Sequence, residues 1–464
     1  MNKLNIYNSL PIIFQNIICS LDGFIKKKKR FNRKFFMYLE QYEKNMKLSQ
    51  QDITKIQSKK IKQMIKHCYD NVPYYRKLFI NNSIDYKTID SIEKLKLLPV
   101  LTKDIVRDNY DDFLAKNIKK RNVTISRTSG TTGAGFSFVK SKDFINEQWA
   151  VWWRFRNTHG IELNTWSAHF SSNPVVPSKQ DKPPYWRINL PGRQVLFSAF
   201  HMREDTLHAY VNEIIDRKLA WIHGYPSVIT ILANYIISHQ VELKGLIKYV
   251  TTGGESLLDY QKKIIESAFK VKVFEHYGLA EGVANISQNK YGDLKVDEDF
   301  CAVEFVPHNN TFKIVGTNLS NFAMPLLRYD TQDIATIHMD NNGQICIDSI
   351  DGRIEDYLYL SDGRKFGRVS RAFMHTKGII IAQIKQKIDY SIDINIKKND
   401  SYSIDDEKVI LDFFKNTIKF TDTIRINYVE DIEKSKSGKH RLVISEIDQE
   451  KGDERNENTT SMFS

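Results

Sequence analysis

The 464-residue sequence predicts an α/β protein, a large N-terminal body followed by a small α+β module. Three observations carry this. Between residues 219 and 282, short apolar runs alternate with glycine-containing turns and helical runs, as in strand–loop–helix units around a mostly parallel sheet. Past Asp351-Gly352-Arg353 the pattern changes to short alternating strands around one helix. Hydrophobic residues at 41% and charged residues at 27% suit a globular chain, long enough to bury its core without disulfide or metal staples.

In chain order, residues 1–50 read as a basic helical segment. Residues 4–25 are rich in Leu, Ile and Phe and end at Lys26-Lys27-Lys28-Lys29-Arg30. A secretory signal puts its charge before the apolar stretch, so this order argues against one. Gln15, Asn16, Ser20 and Asp22 interrupt a stretch that needs roughly 20 apolar residues to span a bilayer. Two readings stay open: a helix packed on the body with a solvated basic turn, or an interfacial helix bringing residues 1–34 to an anionic membrane. Residues 1–66 hold 15 Lys/Arg against four Asp/Glu, which is +11 of the chain's +12. Nucleic-acid binders more often carry such an excess on the main body, so no nucleic-acid partner is expected.

The body follows as residues 51–350. Ile53, Ile56, Met64, Ile65 and Cys68 mark an amphipathic helix stopped near Val72-Pro73, and a second helical stretch runs from Ser91 to Leu98-Pro99. Residues 219–223, 246–250 and 271–274 read as strands. Each precedes a loop: Gly224-Tyr225-Pro226-Ser227, Thr251-Thr252-Gly253-Gly254-Glu255, and residues 275–282. Helices follow the first two, over 228–238 and up to Phe269. Such loops open at the carboxyl edge of the sheet, so Tyr225, Glu255, Tyr277 and Glu281 are expected to converge on one cleft. In the module, residues 351–447, strands at 379–384, 392–396 and 424–428 surround a helix with Val409, Ile410, Phe413 and Phe414 on its apolar side. The tail, 448–464, reads as disordered.

Thr128-Ser129-Gly130-Thr131-Thr132-Gly133 is a hydroxyl- and glycine-rich turn between apolar flanks. Its backbone N–H groups and hydroxyls suit polyphosphate oxygens. No Gly-Lys-Ser/Thr follows at Walker spacing, which excludes a P-loop NTPase. The same order then holds Gly253-Gly254-Glu255, Tyr277-Gly278-Leu279-Ala280-Glu281, Arg328-Tyr329-Asp330-Thr331-Gln332-Asp333, Gly352-Arg353-Ile354-Glu355-Asp356 and Ser437-Gly438-Lys439. This series resembles the adenylate-forming (acyl-adenylate ligase) superfamily. His67-Cys68-Tyr69-Asp70-Asn71-Val72-Pro73-Tyr74-Tyr75-Arg76, Leu98-Pro99-Val100-Leu101-Thr102-Lys103 and Gly224-Tyr225-Pro226-Ser227 are similar to its phenylacetate–CoA ligase branch. Within that branch the resemblance is to CapK-type proteins of capsular polysaccharide synthesis, and it covers residues 60–445.

The resemblance implies a large adenylate-forming domain of layered sheets and helices with a small mobile lid. Thr128, Ser129, Gly130, Thr131, Thr132 and Gly133 would wrap the β/γ-phosphates of ATP. Gly253, Gly254 and Glu255 would line the adenine, with Tyr277 and Gly278 against its face. Glu281 would hold Mg²⁺, Asp333 would accept the ribose hydroxyls near Arg353, and Glu355 would stand at the interdomain hinge. Lys439 would contact the α-phosphate and the carboxylate oxygen. A carboxylate attacking a phosphate is anion meeting anion, so the chemistry independently asks for Mg²⁺ and a cation. Three departures stand out: Ala134-Gly135-Phe136 where many relatives have Pro and then Lys, Ala280 for Thr, and Gln332 for Gly.

The implied activity is ATP-dependent activation of a small carboxylic or amino acid as acyl-AMP with release of pyrophosphate. Transfer to CoA, a carrier thiol, or a sugar amine or hydroxyl would follow, in capsular or envelope polysaccharide synthesis. The alternative is a catalytically lapsed scaffold held at the membrane through residues 1–34; the retained Glu281, Asp333 and Lys439 favour the enzyme. Cys19, Cys68, Cys301 and Cys346 are scattered and read as reduced thiols, which suits the cytoplasm, with contact at the inner membrane face as the second N-terminal reading. His169, His201, His223 and His276 fall near the predicted loops, and none of the twelve histidines pairs at metal-ligand helical spacing.

Overall fold

The computed structural model describes residues 3–127, 137–171, 174–308, 311–341, 343–353, 358–366, 369–373, 376, 378–433 and 440–447. The chain forms two compact units. The first comprises Met1–Trp166, Ile188–Gln194 and Phe274–Ile350; the second comprises Ser167–Arg187, Val195–Val273 and Asp351–Ser464.

In the first unit the amphipathic pattern becomes the helix Gln50–Asn71, whose start is capped by Ser49 and whose core side carries Ile61, Met64, Ile65 and Cys68. It stops at Val72, and Pro73 opens the helix Pro73–Asn81, where a missing N–H costs nothing. The stretch after Ser91 is shorter than expected, a single turn, Ile92–Leu95. Pro99 disfavours helix at Leu98, and the Arg328 guanidinium takes the Lys96 and Leu98 carbonyls. A further helix, Lys142–Thr158, buries Arg154 between Asp297 and Asp299, at 2.5 and 2.7 Å. The N-terminal helix Arg33–Asn45 joins that cluster through Asn45, which donates to Asp299 at 2.8 Å.

The strand pairs of this unit run antiparallel. Cys301–His308 pairs with Thr311–Asn318, and Thr311–Asn318 with Tyr329–Met339. Asn285–Gln288 pairs with Leu294–Val296 on one side and with Val273–Gly278 on the other. Residues 275–278 therefore lie in a strand rather than a loop, and a hairpin follows. The Gln288 side chain draws the strand on by accepting from the Glu275 N–H at 3.1 Å. Arg328 sits at the head of the strand that carries Asp333. Its guanidinium grips both Glu304 oxygens at 2.9 Å, and both side chains are buried. The Arg328 carbonyl accepts from Leu101 N–H at 2.8 Å, and the Leu101 carbonyl accepts from Asp330 N–H at 2.9 Å. The phrase at 98–103 is thus a splint along the Arg328–Asp333 motif.

The parallel strands lie in the second unit. Trp221–Gly224 pairs in parallel with Ser167–Ser171 and with Tyr249–Thr252. The last begins later than the apolar run 246–250 suggests, because Leu246 N–H closes a turn onto Leu243 O at 2.8 Å. Helices Pro226–Ser238 and Asp259–Phe269 follow their strands. The module has a four-stranded sheet in the order Ile424–Tyr428, Ile392–Lys398, Ile379–Gln386, Val443–Ser445. Its helix Ile404–Asp412 widens into a π-helical turn, Phe413–Ile418. Ile410 and Phe414 are buried and Phe413 packs at the core's margin, but Val409 faces solvent, one residue off the buried line.

Cys19, Cys68 and Cys301 are buried free thiols and Cys346 is a half-buried one. Among the described residues, no helix is long and apolar enough to cross a membrane. Glu304→Ala leaves Arg328 buried without its counter-charge, an arrangement that costs about 3–5 kcal/mol; the urea midpoint should fall accordingly with the m-value kept.

Candidate active site

Of the residues singled out in the sequence, Thr128 to Gly133, Glu355 and Lys439 lie outside the described residues, as does the Arg353 side chain. The rest form one group in each unit.

In the first unit, Tyr277 and Asp333 meet although 56 positions separate them: the Tyr277 hydroxyl donates to Asp333 Oδ2 at 2.7 Å. Asp333 is buried, and its own N–H donates to the Thr331 hydroxyl at 3.1 Å. Burial, then the Asp333 charge, push the Tyr277 phenol well above its ordinary value, so it stays a donor. Gln332 holds φ at 62°, the left-handed region where glycine is at ease, and its N–H donates to Asp330 Oδ1 at 2.8 Å. The departure from glycine at this place is therefore carried by an aspartate-capped turn.

Gly278 has a packing reason to be glycine. A Cβ there would stand 2.6 Å from His276 Cε1, 2.8 Å from Asn285 Oδ1 and 3.1 Å from Trp152 Nε1. His276 is part of that packing, between Phe155 and Trp152, with Nε2 3.1 Å from Asn285 Oδ1. Three residues past Gly278, Glu281 is buried, and its carbonyl accepts from Asn318 at 2.7 Å. Gly282 follows at φ 69°, where a Cβ would strike the Phe144 ring. Lys140, on the strand Ser137–Ser141, is the cation that the motif reading missed. Its ammonium donates to Gln148 at 3.2 Å and lies over the Phe138 and Phe144 rings. Burial lowers its pKa to about 8 while the Glu281 charge pulls it back up. No run of sequence signals it, because a lysine among Phe and Val reads as a strand's solvent side.

In the second unit, Gly253, Gly254 and Glu255 follow the strand Tyr249–Thr252. Gly254 has φ 81°, a conformation a side chain would strain. Glu255 spans two segments: Oε2 accepts from Ser227 N–H at 3.3 Å, at the start of the helix Pro226–Ser238. Oε1 accepts from His440 N–H at 2.8 Å. His223 and His169 face each other in register with ring centroids 5.1 Å apart, and Thr251 Oγ1 joins Trp221 and His223, both at 2.8 Å. His201 is a packed residue, bonded to Ser198 at 2.7 Å.

Among the described residues no cluster of three or more His, Cys, Asp or Glu could hold a metal ion by itself. A lone buried carboxylate such as Glu281 nevertheless fits Mg²⁺, which is commonly bound through one or two carboxylates and completed by substrate phosphates.

Comparison with known proteins agrees with this architecture. Residues 358–446 match the family model of the CapK C-terminal domain. Protein CapK of Staphylococcus aureus is 28% identical over 462 residues, covering 95% of this chain and 99% of that one. Phenylacetate-coenzyme A ligase of Thermus thermophilus is 22% identical, over 68% of this chain and 73% of its own. The fold matches 2-hydroxyisobutyryl-CoA ligase solved in the postadenylation state with R3-HIB-AMP. There the TM-score is 0.65 at 15% identity, over 89% of this chain and 93% of that one. The chain thus shares the fold of that acyl-adenylate-bound CoA ligase. Its sequence is similar to Protein CapK along nearly the whole chain and to phenylacetate-coenzyme A ligase over about two thirds of it.

Desolvation, then the charge of Arg156, lower the His276 pKa from 6.5 to about 3. The unfolded chain then binds more protons than the folded one between these values, so stability is present above pH 6.5 and is lost as pH falls toward 3. The acid-side fall in urea midpoint should be shallower in His276→Gln than in the wild type.

Proposed function

We propose that the chain converts ATP and a small carboxylic or amino acid into acyl-AMP and pyrophosphate, and then passes the acyl group to CoA, a carrier thiol, or a sugar amine or hydroxyl in capsule or envelope synthesis. The observation that carries this is the Glu255 carboxylate. It binds the backbone of His440, the residue after Lys439, and the start of the helix following Tyr225. The Gly253-Gly254-Glu255 motif is therefore tied to the backbone at His440, the position that follows the Ser437-Gly438-Lys439 motif in sequence.

In the reaction, an oxygen of the acid attacks the α-phosphorus, the new O–P bond forms, and the bond to pyrophosphate breaks. Negative charge accumulates on the phosphoryl oxygens, so a lysine delivered there acts mainly on the transition state. Asp333, braced by Tyr277, accepts the ribose hydroxyls. Glu281 holds Mg²⁺, which offsets phosphate charge, and Lys140 beside it limits the cost of keeping that carboxylate buried. The capsule assignment is supported by likeness to Protein CapK over nearly the whole of both chains. CoA as acceptor is supported by the named activity of the phenylacetate ligase. These activities suit a cytoplasmic protein.

Pyrophosphate release across a panel of carboxylic and amino acids should identify the acid; silence with every member at saturating ATP would overturn the reading. Lys439→Ala should keep ATP binding and fold while adenylate formation falls about 100- to 1000-fold, the usual loss for one transition-state contact. Glu281→Gln should raise the Mg²⁺ concentration needed for half-maximal rate, measured by titrating the metal at fixed ATP.

A further inference from the structure

The N-terminal helix Ile12–Arg30 is turned inside out. Its inward positions are Gln15, Asn16, Cys19, Ser20 and Gly23, all small or polar. They dock by hydrogen bonds and close approach. Asn16 Oδ1 accepts from Ile188 N–H at 2.9 Å, while Ser20 donates to the Ile188 carbonyl at 3.0 Å and accepts from Leu190 N–H at 3.2 Å. A Cβ on Gly23 would fall 1.8 Å from Asn189 Oδ1, so the helix lies hard against that turn. At its far end Asn146 donates to the Lys29 and Arg30 carbonyls at 2.8 and 2.9 Å, and Arg30 lies 4.2 Å over the Trp149 ring. The helix is firmly placed, and what it leaves outside is apolar. Ile13, Phe14, Ile17, Leu21, Phe24 and Ile25 are each 48–68% exposed, and Leu190 beside the docking turn is 60% exposed.

We infer that this face is a monotopic docking surface for an anionic lipid bilayer. A helix of soluble protein buries its apolar side; this one buries the other side, so its apolar stripe awaits a different partner. Charge chooses among partners. Lys26, Lys28 and Lys29 are exposed at the end of the stripe, and Asp22, ion-paired to Lys26, is the helix's one acid. Residues 1–66 carry +11, so a second copy presenting the same face would bring like charges together, whereas anionic headgroups neutralise them. Apolar side chains in the acyl boundary beside lysines at headgroup level are the arrangement of an interfacial helix.

The test uses the full chain and vesicle flotation, with phosphatidylcholine alone and with phosphatidylglycerol added. The wild type should float with the mixed vesicles and release as salt rises. Ile17→Glu with Leu21→Glu should lower partitioning about 100-fold or more, because two buried apolar side chains are lost. Lys28→Gln with Lys29→Gln should lower it about 30-fold and flatten the salt dependence. Melting temperature and pyrophosphate release in solution should stay at wild-type values in both, since these side chains touch neither core nor site. Wild type that ignores mixed vesicles at low salt overturns the inference, as does an Ile17→Glu/Leu21→Glu variant that floats normally. A dimer in sedimentation that this variant dissociates, with no flotation, would assign the face to a second copy instead.

Discussion

Burying a guanidinium is expensive, and the first unit is organised around meeting that cost at Arg328. The side chain donates to both oxygens of Glu304, two strands away, and to two carbonyls from the segment before Pro99. One group thereby sets the spacing of three pieces of chain. Its own backbone adds the bridge between Leu101 and Tyr329, so the strand is fixed on both sides just before Asp333. Such a network is stable only when every member is satisfied. The carboxylate five residues downstream inherits its position from it.

A common device appears at two carboxylates, one in each unit. Asp333 receives the Tyr277 hydroxyl, and Glu255 receives two backbone N–H groups. A carboxylate held this way has lost its rotamer freedom in advance, so binding does not have to order it. Reach differs between them. Asp333 is steadied by neighbours on the sheet that carries it, whereas Glu255 ties together segments 185 positions apart.

The parallel strands and their turns were legible because short apolar runs between glycines have few alternatives. The strand carrying Tyr277 was not, since Glu275 and His276 are polar and Gly278 looks like a turn. What makes it a strand is partners supplied later, at Asn285 and Gln288. The ordered motifs named the residues of interest but not why the phrases at 67–76 and 98–103 exist; both turn out to brace residues 322–330. Lys140 was hidden by apolar company. The N-terminal helix shows the sharpest limit. Composition marked it as an interrupted apolar stretch ending in a basic cluster, yet which side is covered depends on Ile188, Asn189 and Leu190, some 170 residues away.

Those braces also order events in time. Tyr75 donates to the Pro325 carbonyl and accepts from Leu327 N–H, and His67 meets the Phe322 carbonyl, closing loops of 250, 252 and 255 residues. Contacts of such separation form late, because the chain between them must be brought together before they contribute anything. A chain emerging from the ribosome makes its helices at 50–81 some tens of seconds before their partners in sequence exist, and until then their apolar sides are bare. Asp333 therefore cannot be seated until most of the polypeptide is made, and the nascent N-terminal third is the stretch most in need of a chaperone's cover.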